Sequence, residues 1–220
     1  MTSIKDYPFF CSWSGGKDSC LAFYKAIQNG GIPKALLTML TEDAERTRSH
    51  GLPVGVVQCQ AEALGIPLIV RKSSWNDYEE NFLSDISNFK RDGIEYGVFG
   101  DIDLEPHLQW VERVCSSVAI QPYEPLWKRE RPDLLNEFLS LGFKAMIIAI
   151  KQGALDNSFL GRILDQQVIT NIEKAGCDAS GEKGEYHTVV TDGPIYSSPI
   201  HIETRGQAIH DGYCFLDVSV

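Results

Sequence analysis

The chain has 220 residues, of which 43% are hydrophobic and 23% charged, a profile that fits a folded globular protein and excludes a fibrous or wholly disordered one. Its 30 acidic against 20 basic residues give a formal net charge of -10, the wrong sign for capturing a phosphate backbone, so nucleic acid is not expected as a partner. No apolar leader opens the chain and no run of about 18 uncharged apolar residues follows, so no membrane partner is expected and the predicted location is cytoplasmic. The cysteines Cys11, Cys20, Cys59, Cys115, Cys177 and Cys214 form no C-x-x-C pair and no Cys/His cluster. They are expected as buried thiols, not as a zinc site or disulfide framework.

Apolar runs of strand length recur at Pro8 to Ser12, Lys34 to Leu40, Pro67 to Arg71, Glu95 to Gly100, Val118 to Pro122 and Ala145 to Ile150. Near-continuous hydrophobicity suits parallel strands covered on both faces. Helix-period segments lie between them, at Asp18 to Gln28, Val54 to Leu64, Asp77 to Arg91, Glu105 to Ser116 and Pro132 to Leu141, with Gly65 and Gly142 as stop signals. The alternation predicts an α/β domain with a doubly wound, mostly parallel sheet over residues 1-150. After Lys151 the pattern changes. Ser158 to Ala175 reads as one or two helices, and Asp192 to Val218, rich in β-branched and aromatic residues, reads as a small antiparallel unit. Residues 151-220 are thus expected to form a smaller C-terminal α+β unit on the substrate side.

The first strand runs into Ser14-Gly15-Gly16-Lys17-Asp18-Ser19, which opens a helix. A helix N-terminus offers backbone N-H groups and a positive dipole end to an anion. The glycines remove Cβ atoms that would hold the backbone away from a phosphate, Ser12, Ser14 and Ser19 add hydroxyls, and Lys17 adds a mobile charge. Walker A spacing is absent, since Gly16-Lys17 is followed by Asp18. An acid in such a loop makes sense if it orients the loop or meets Mg2+.

This hexapeptide resembles the SGGxDS signature of the N-type ATP pyrophosphatases, the PP-loop family. The resemblance implies an adenine nucleotide alpha hydrolase-like fold of the HUP type, and cleavage of ATP between its α and β phosphates to give an adenylated intermediate and pyrophosphate. Arg48-Ser49-His50-Gly51-Leu52-Pro53, Gln60 to Leu68, Phe99-Gly100-Asp101-Ile102, Glu124-Pro125-Leu126-Trp127, Phe159 to Arg162 and Gly181 to Thr188 are similar to segments of the diphthine-ammonia ligase family. Eukaryotic relatives there are expected to carry extra C-terminal domains. Ser180 stands where many members have Cys. The resemblance implies ATP and Mg2+ as cofactors, with adenine near Met39 and Leu40 and His50 on phosphate or acceptor.

A sheet with the first strand central and the fourth beside it has its switch point there, so Gly100-Asp101-Ile102 should meet the loop residues at the nucleotide. The segment Gly181-Glu182-Lys183-Gly184-Glu185-Tyr186-His187-Thr188 places titratable groups among glycines, poor core material and good material for a substrate loop. Glu182 or Glu185 could hold ammonium or remove its proton, and His187 is an alternative base. Lys17 and Asp18 complete the candidate catalytic set.

The expected reaction is amide ligation: a carboxylate attacks the α-phosphorus, pyrophosphate leaves, and ammonia displaces AMP. The acceptor implied by the resemblance is diphthine on a translation elongation factor. A homodimer is left open. The alternatives are a PP-loop sulfur transferase acting on tRNA and a non-catalytic sensor of ATP or AMP.

Overall fold

The computed structural model describes residues 3–220. Its contacts divide into two compact units. The first takes the chain up to Ser14, Asp18–Ser49 and Gly65–Arg129, and the second takes Gly15–Lys17, His50–Leu64 and Glu130–Val220.

The first unit is built on a five-stranded parallel sheet, β1 (Pro8–Ser12), β2 (Ile32–Leu40), β3 (Leu68–Lys72), β4 (Tyr96–Val98) and β5 (Gln121–Tyr123), in the order β3-β2-β1-β4-β5. This is the order of a doubly wound sheet, with its switch point between β1 and β4. The central strands are the most hydrophobic, because a parallel sheet is covered on both faces: Phe9, Phe10, Cys11, Leu36 and Val98 are all fully buried. Edge strand β3 is half-exposed along its length. Helices α1 (Lys17–Gln28), α3 (Tyr78–Arg91) and α4 (Glu105–Ser117) follow the predicted periods. A cluster around Phe10, Phe82, Phe89, Phe99 and Val114 fills the core, and Phe10 meets Phe99 edge-on at 5.9 Å between centroids.

β4 and β5 are shorter than their apolar runs, Glu95 to Gly100 and Val118 to Pro122, suggest. Val118 caps the C-terminus of α4 and Ala119 takes a positive φ of 58°, so β5 starts only at Gln121.

The second unit carries α2 (Val54–Leu64), α5 (Arg131–Ser140), a 3-10 turn at Asn157–Phe159, α6 (Gln166–Lys174) and a four-stranded sheet in the order β7-β6-β9-β8. Here β6 is Lys144–Lys151, β7 Tyr186–Asp192, β8 Glu203–His210 and β9 Tyr213–Ser219. The run Ala145 to Ile150, read from its hydrophobicity as one more parallel strand, pairs antiparallel with β7 and β9. Its continuous hydrophobicity has a different cause: Ala145, Ile147, Ile148, Ala149 and Ile150 are buried in the interior of the second sheet. That sheet therefore begins inside the 1-150 range expected for the first domain. β8 and β9 form a hairpin across Asp211-Gly212, both at positive φ (50° and 78°), as a two-residue hairpin turn requires.

Candidate active site

Ser14 to Ser19 connect β1 to α1, and the loop starts from a fixed anchor in the first unit. The Trp13 N-H donates to the Leu37 carbonyl at 2.8 Å, and the Thr38 hydroxyl donates to the Trp13 carbonyl at 2.7 Å. Trp13 is 2% exposed and packs edge-on against Phe23. Ser12 is half-buried at the end of β1, and the Ser14 and Ser19 hydroxyls lie 3.0 Å apart. Asp18 is half-buried in the first turn of α1.

The turn after β4 comes against this helix start. A Cβ on Gly100 would fall 2.8 Å from the Asp18 carbonyl carbon and 2.9 Å from the Ser19 nitrogen. Both are backbone atoms with nowhere to move, so the turn can approach the loop only through glycine. Asp101 Oδ1 lies 2.9 Å from His107 Nδ1. Ile102 is buried and its carbonyl accepts the Lys128 N-H at 2.7 Å, tying this turn to the one after β5.

Met39 and Leu40, expected near adenine, are buried at 8% and 2% exposure. Their carbonyls already accept from the Arg48 and Ser73 N-H groups, so these two residues offer a ligand a wall and no free carbonyl edge.

The second unit assembles Gly15–Lys17, His50, α2 and β7. Gly15 has φ 79°, and a Cβ there would fall 2.7 Å from Gln60 Oε1. Gln60, fully buried on α2, donates its amide to the Gly15 carbonyl at 3.0 Å and to the Val190 carbonyl at 2.8 Å, while the Val190 N-H donates to Gly15 at 2.9 Å. The Lys17 N-H donates to the Thr188 hydroxyl at 3.2 Å. One N-H expected to await an anion is therefore engaged by the protein itself. Lys17 Nζ sits 3.4 Å from Glu182 Oε1, with side-chain exposures of 8% and 14%.

His50 Nδ1 donates to the Thr188 carbonyl at 2.9 Å in the neutral ring, which fixes its tautomer. Burial, with help from the Lys17 charge and against that hydrogen bond, lowers its pKa to about 4. The His187 ring stands between His50, at 4.8 Å, and Tyr213, at 5.3 Å.

The pH consequence of His50 follows from the sign. An unfolded His protonates near 6.5, whereas the folded one holds out to about 4. The His50 contribution is therefore fully present above pH 6.5 and is lost as pH falls towards 4. His50→Gln, which keeps a donor and cannot titrate, is expected to lose less thermal stability than wild type between pH 7 and pH 5. Parallel Tm-against-pH curves for the two proteins would remove His50 from that balance.

Only part of Gly181 to Thr188 is a loop. Tyr186, His187 and Thr188 begin β7, because the β-branched run that follows pairs with β6. Within the loop, Glu185 is 8% exposed and its carboxylate accepts the Asp178 N-H at 3.3 Å and the Lys183 N-H at 3.0 Å. Tyr186 is 3% exposed and donates its hydroxyl to the Ala179 carbonyl, and the Tyr213 hydroxyl donates to the Gly184 carbonyl at 2.9 Å. Gly184 accordingly has no room for a side chain: a Cβ would lie 2.8 Å from the Tyr213 hydroxyl, and one on Gly181 would crowd Tyr186 at 3.1 Å. Glu185 and Tyr186 brace the loop from inside, Glu182 faces Lys17, and His187 lies on β7 against His50 and Tyr213.

Two residues were noted in the sequence only as parts of family-like segments and were given no role. Gln60 shares the buried stripe of α2 with Val56, Val57 and Ala61, and a Gln at that spacing was the available signal. Glu124, the one acid in Glu124-Pro125-Leu126-Trp127, is 9% exposed. Burial, reinforced by Asp101 and Glu112, pushes its pKa up to about 7.

All six cysteines are free thiols, four buried and two half-buried. Those of Cys11, Cys59, Cys115 and Cys177 are shifted upward, chiefly by burial, the opposite of an activated thiolate. No helix among the described residues is long and apolar enough to cross a membrane.

Comparison with known proteins identifies the family. A human protein named diphthine-ammonia ligase is 27% identical over 231 residues, covering 94% of this chain and 86% of the human one. A zebrafish (Danio rerio) protein of the same name is 30% identical, covering 93% of this chain and 90% of its own length. The Schizosaccharomyces pombe protein of that name is 26% identical, with 38% of its length covered. The extra length expected of eukaryotic relatives thus holds for the yeast protein and not for the human or zebrafish one. Family models described as the diphthamide synthase N-terminal domain and the diphthamide synthase C-terminal domain match residues 10–122 and 130–220, and the chain belongs to the diphthamide synthase family.

Proposed function

We propose that this protein is an ATP-dependent carboxylate-ammonia ligase that converts diphthine, on a translation elongation factor, to its amide. ATP and ammonia are its small substrates. The observation that carries the reading is the meeting of two motifs far apart in sequence, with Lys17 Nζ 3.4 Å from Glu182 Oε1 and the Lys17 N-H on the Thr188 hydroxyl. A lysine of the pyrophosphate loop is thereby held by the segment read as the acceptor loop.

In the adenylation half, Lys17 and the start of α1 bind the phosphates and stabilise charge developing on the leaving pyrophosphate. Asp18 is the carboxylate suited to Mg2+, which commonly takes only one or two protein carboxylates beside substrate phosphates and water. Bound there, the ion would neutralise phosphate charge. Ser14 and Ser19 donate to phosphate oxygens, and Gly100 lets the turn after β4 lie against the nucleotide. In the second half, Glu182 and His187 position the acceptor, and Glu185 keeps their loop in shape. The division into a nucleotide-binding part and a smaller substrate-side part belongs to the same proposal.

Oxygen-18 in the acceptor carboxylate tests the chemistry. One labelled oxygen is expected in AMP for each amide formed, because the carboxylate oxygen that attacks phosphorus leaves with it. Unlabelled AMP, or ADP as the product, would overturn the adenylate route. A demand for a sulfur donor and tRNA would favour the transferase instead, a reading that the upward-shifted thiols disfavour.

A further inference from the structure

Glu124 has no part in the scheme above. It follows β5, is 9% exposed, and its Oε1 is buried with no hydrogen-bond partner among the described residues. Folded proteins keep few such orphaned acceptors, and each calls for a ligand or a task. The surroundings make the position harder to hold: Asp101 from the turn after β4 and Glu112 from α4 act on the carboxylate with like charge, and the Cys115 thiol of α4 feels it in turn. The turn is rigid, since the Phe99 N-H donates to the Tyr123 carbonyl at 3.1 Å and the Lys128 N-H to the Ile102 carbonyl at 2.7 Å. Gly100, next to Asp101, lies against the Asp18 and Ser19 backbone at the start of α1. A buried carboxylate with an empty acceptor, and a half-buried Asp101 whose Oδ1 lies 2.9 Å from His107 Nδ1, thus follow the ends of β5 and β4, where Gly100 meets the helix start that would carry the adenylate phosphate.

The two carboxylates first considered for ammonium are engaged elsewhere, Glu182 with Lys17 and Glu185 with two backbone N-H groups. We infer that Glu124 captures ammonium and removes its proton for attack on the acyl-adenylate. This assignment rests on the ligase reading.

The chemistry balances with the groups named. Ammonium gives N-H donors to the Glu124 carboxylate, filling its Oε1 acceptor, and its positive charge offsets the repulsion from Asp101 and Glu112. One proton passes to the Glu124 carboxylate, which becomes the neutral acid that burial favours. The ammonia lone pair then forms the C-N bond at the acyl carbon. The C-O bond to the phosphate breaks with its electron pair going to AMP, and the second proton from nitrogen leaves to solvent.

Hydroxylamine separates this role from others, because it is already neutral at pH 7 and needs no base. With wild-type protein, MgATP and diphthine-bearing elongation factor, pyrophosphate exchange reports adenylation, while amide and hydroxamate report the second step. Glu124→Gln is expected to lose about 100-fold or more in ammonium-dependent kcat/KM, the scale of a lost general base, while hydroxamate formation stays within a few-fold. Asp101→Asn is expected to raise KM for ammonium and move the acid limb of its rate profile to lower pH, since one like charge on Glu124 is gone. Unchanged ammonium use in Glu124→Gln overturns the assignment, as does an equal loss of exchange, amide and hydroxamate, which would mark a merely structural residue. Absence of acceptor-dependent exchange in wild type would instead overturn the ligase reading and this assignment with it.

Discussion

Lys17→Ala is expected to weaken ATP binding by about 1.5 to 3 kcal/mol, roughly ten- to a hundredfold in Kd, the usual worth of a charge-assisted hydrogen bond. The side chain is 8% exposed and its ammonium is held 3.4 Å from Glu182, so the charge is aimed and partly desolvated before any ligand arrives. Glu182→Gln should behave differently. It keeps a hydrogen-bond acceptor for Lys17 but removes the negative charge competing with phosphate, so ATP affinity is expected to stay within a few-fold of wild type. Amide formation should fall about 100-fold, because the loop loses the charge that pairs it with Lys17 and positions the acceptor. Calorimetry with ATP and a product assay on both variants separate the effects. Equal loss of ATP affinity in the two would put Glu182 in the nucleotide site, and unchanged affinity in a folded Lys17→Ala protein would take Lys17 out of it.

The second large effect is expected at Gly16. Unlike Gly15, it is not among the glycines at positive φ, so alanine costs nothing in backbone conformation there. The obstacle is space. A Cβ would lie 2.1 Å from His50 Cε1, 2.7 Å from His50 Nδ1 and 3.2 Å from the Thr188 carbonyl oxygen. His50 would have to swing away and give up its bond to Thr188, or the loop would have to lift. Lifting the loop would displace the Lys17 N-H from the Thr188 hydroxyl. Gly16→Ala is therefore expected to leave a folded protein whose pyrophosphate exchange is down by about 100-fold, since small misplacements of positioned groups cost on that scale. Gly16→Ala combined with His50→Ala should recover at least about tenfold of the loss, because the space is returned although the Thr188 bond is not. A double variant as poor as the single one would show that the cost is not the collision with His50.

The elements, and the turn that carries β1 into α1, were legible in the sequence because they rest on local physics. Apolar runs between polar turns located β1, the periodicity of α2 gave its bounds from Val54 to Leu64, and two glycines after a hydrophobic strand marked the turn into α1. Pairing partners are not local. Ala145 to Ile150 reads the same whether it is buried in a parallel or an antiparallel sheet, and only its register with β7 and β9 decided between them. Tyr186 to Thr188 read as loop because glycines and acids precede it, yet β6 recruits it into a strand.

Side-chain roles divide in the same way. That Glu182, Glu185 and Glu124 are carboxylates was plain, and what each can do was not. One faces a lysine 165 positions away in the chain, one is consumed by backbone donors within two to seven residues, and one is buried among other acids with an oxygen left over. Composition fixes which protons and charges are available. Tertiary structure decides their state, because burial and the approach of distant charges set whether a carboxylate is paired, braced or poised to take a proton.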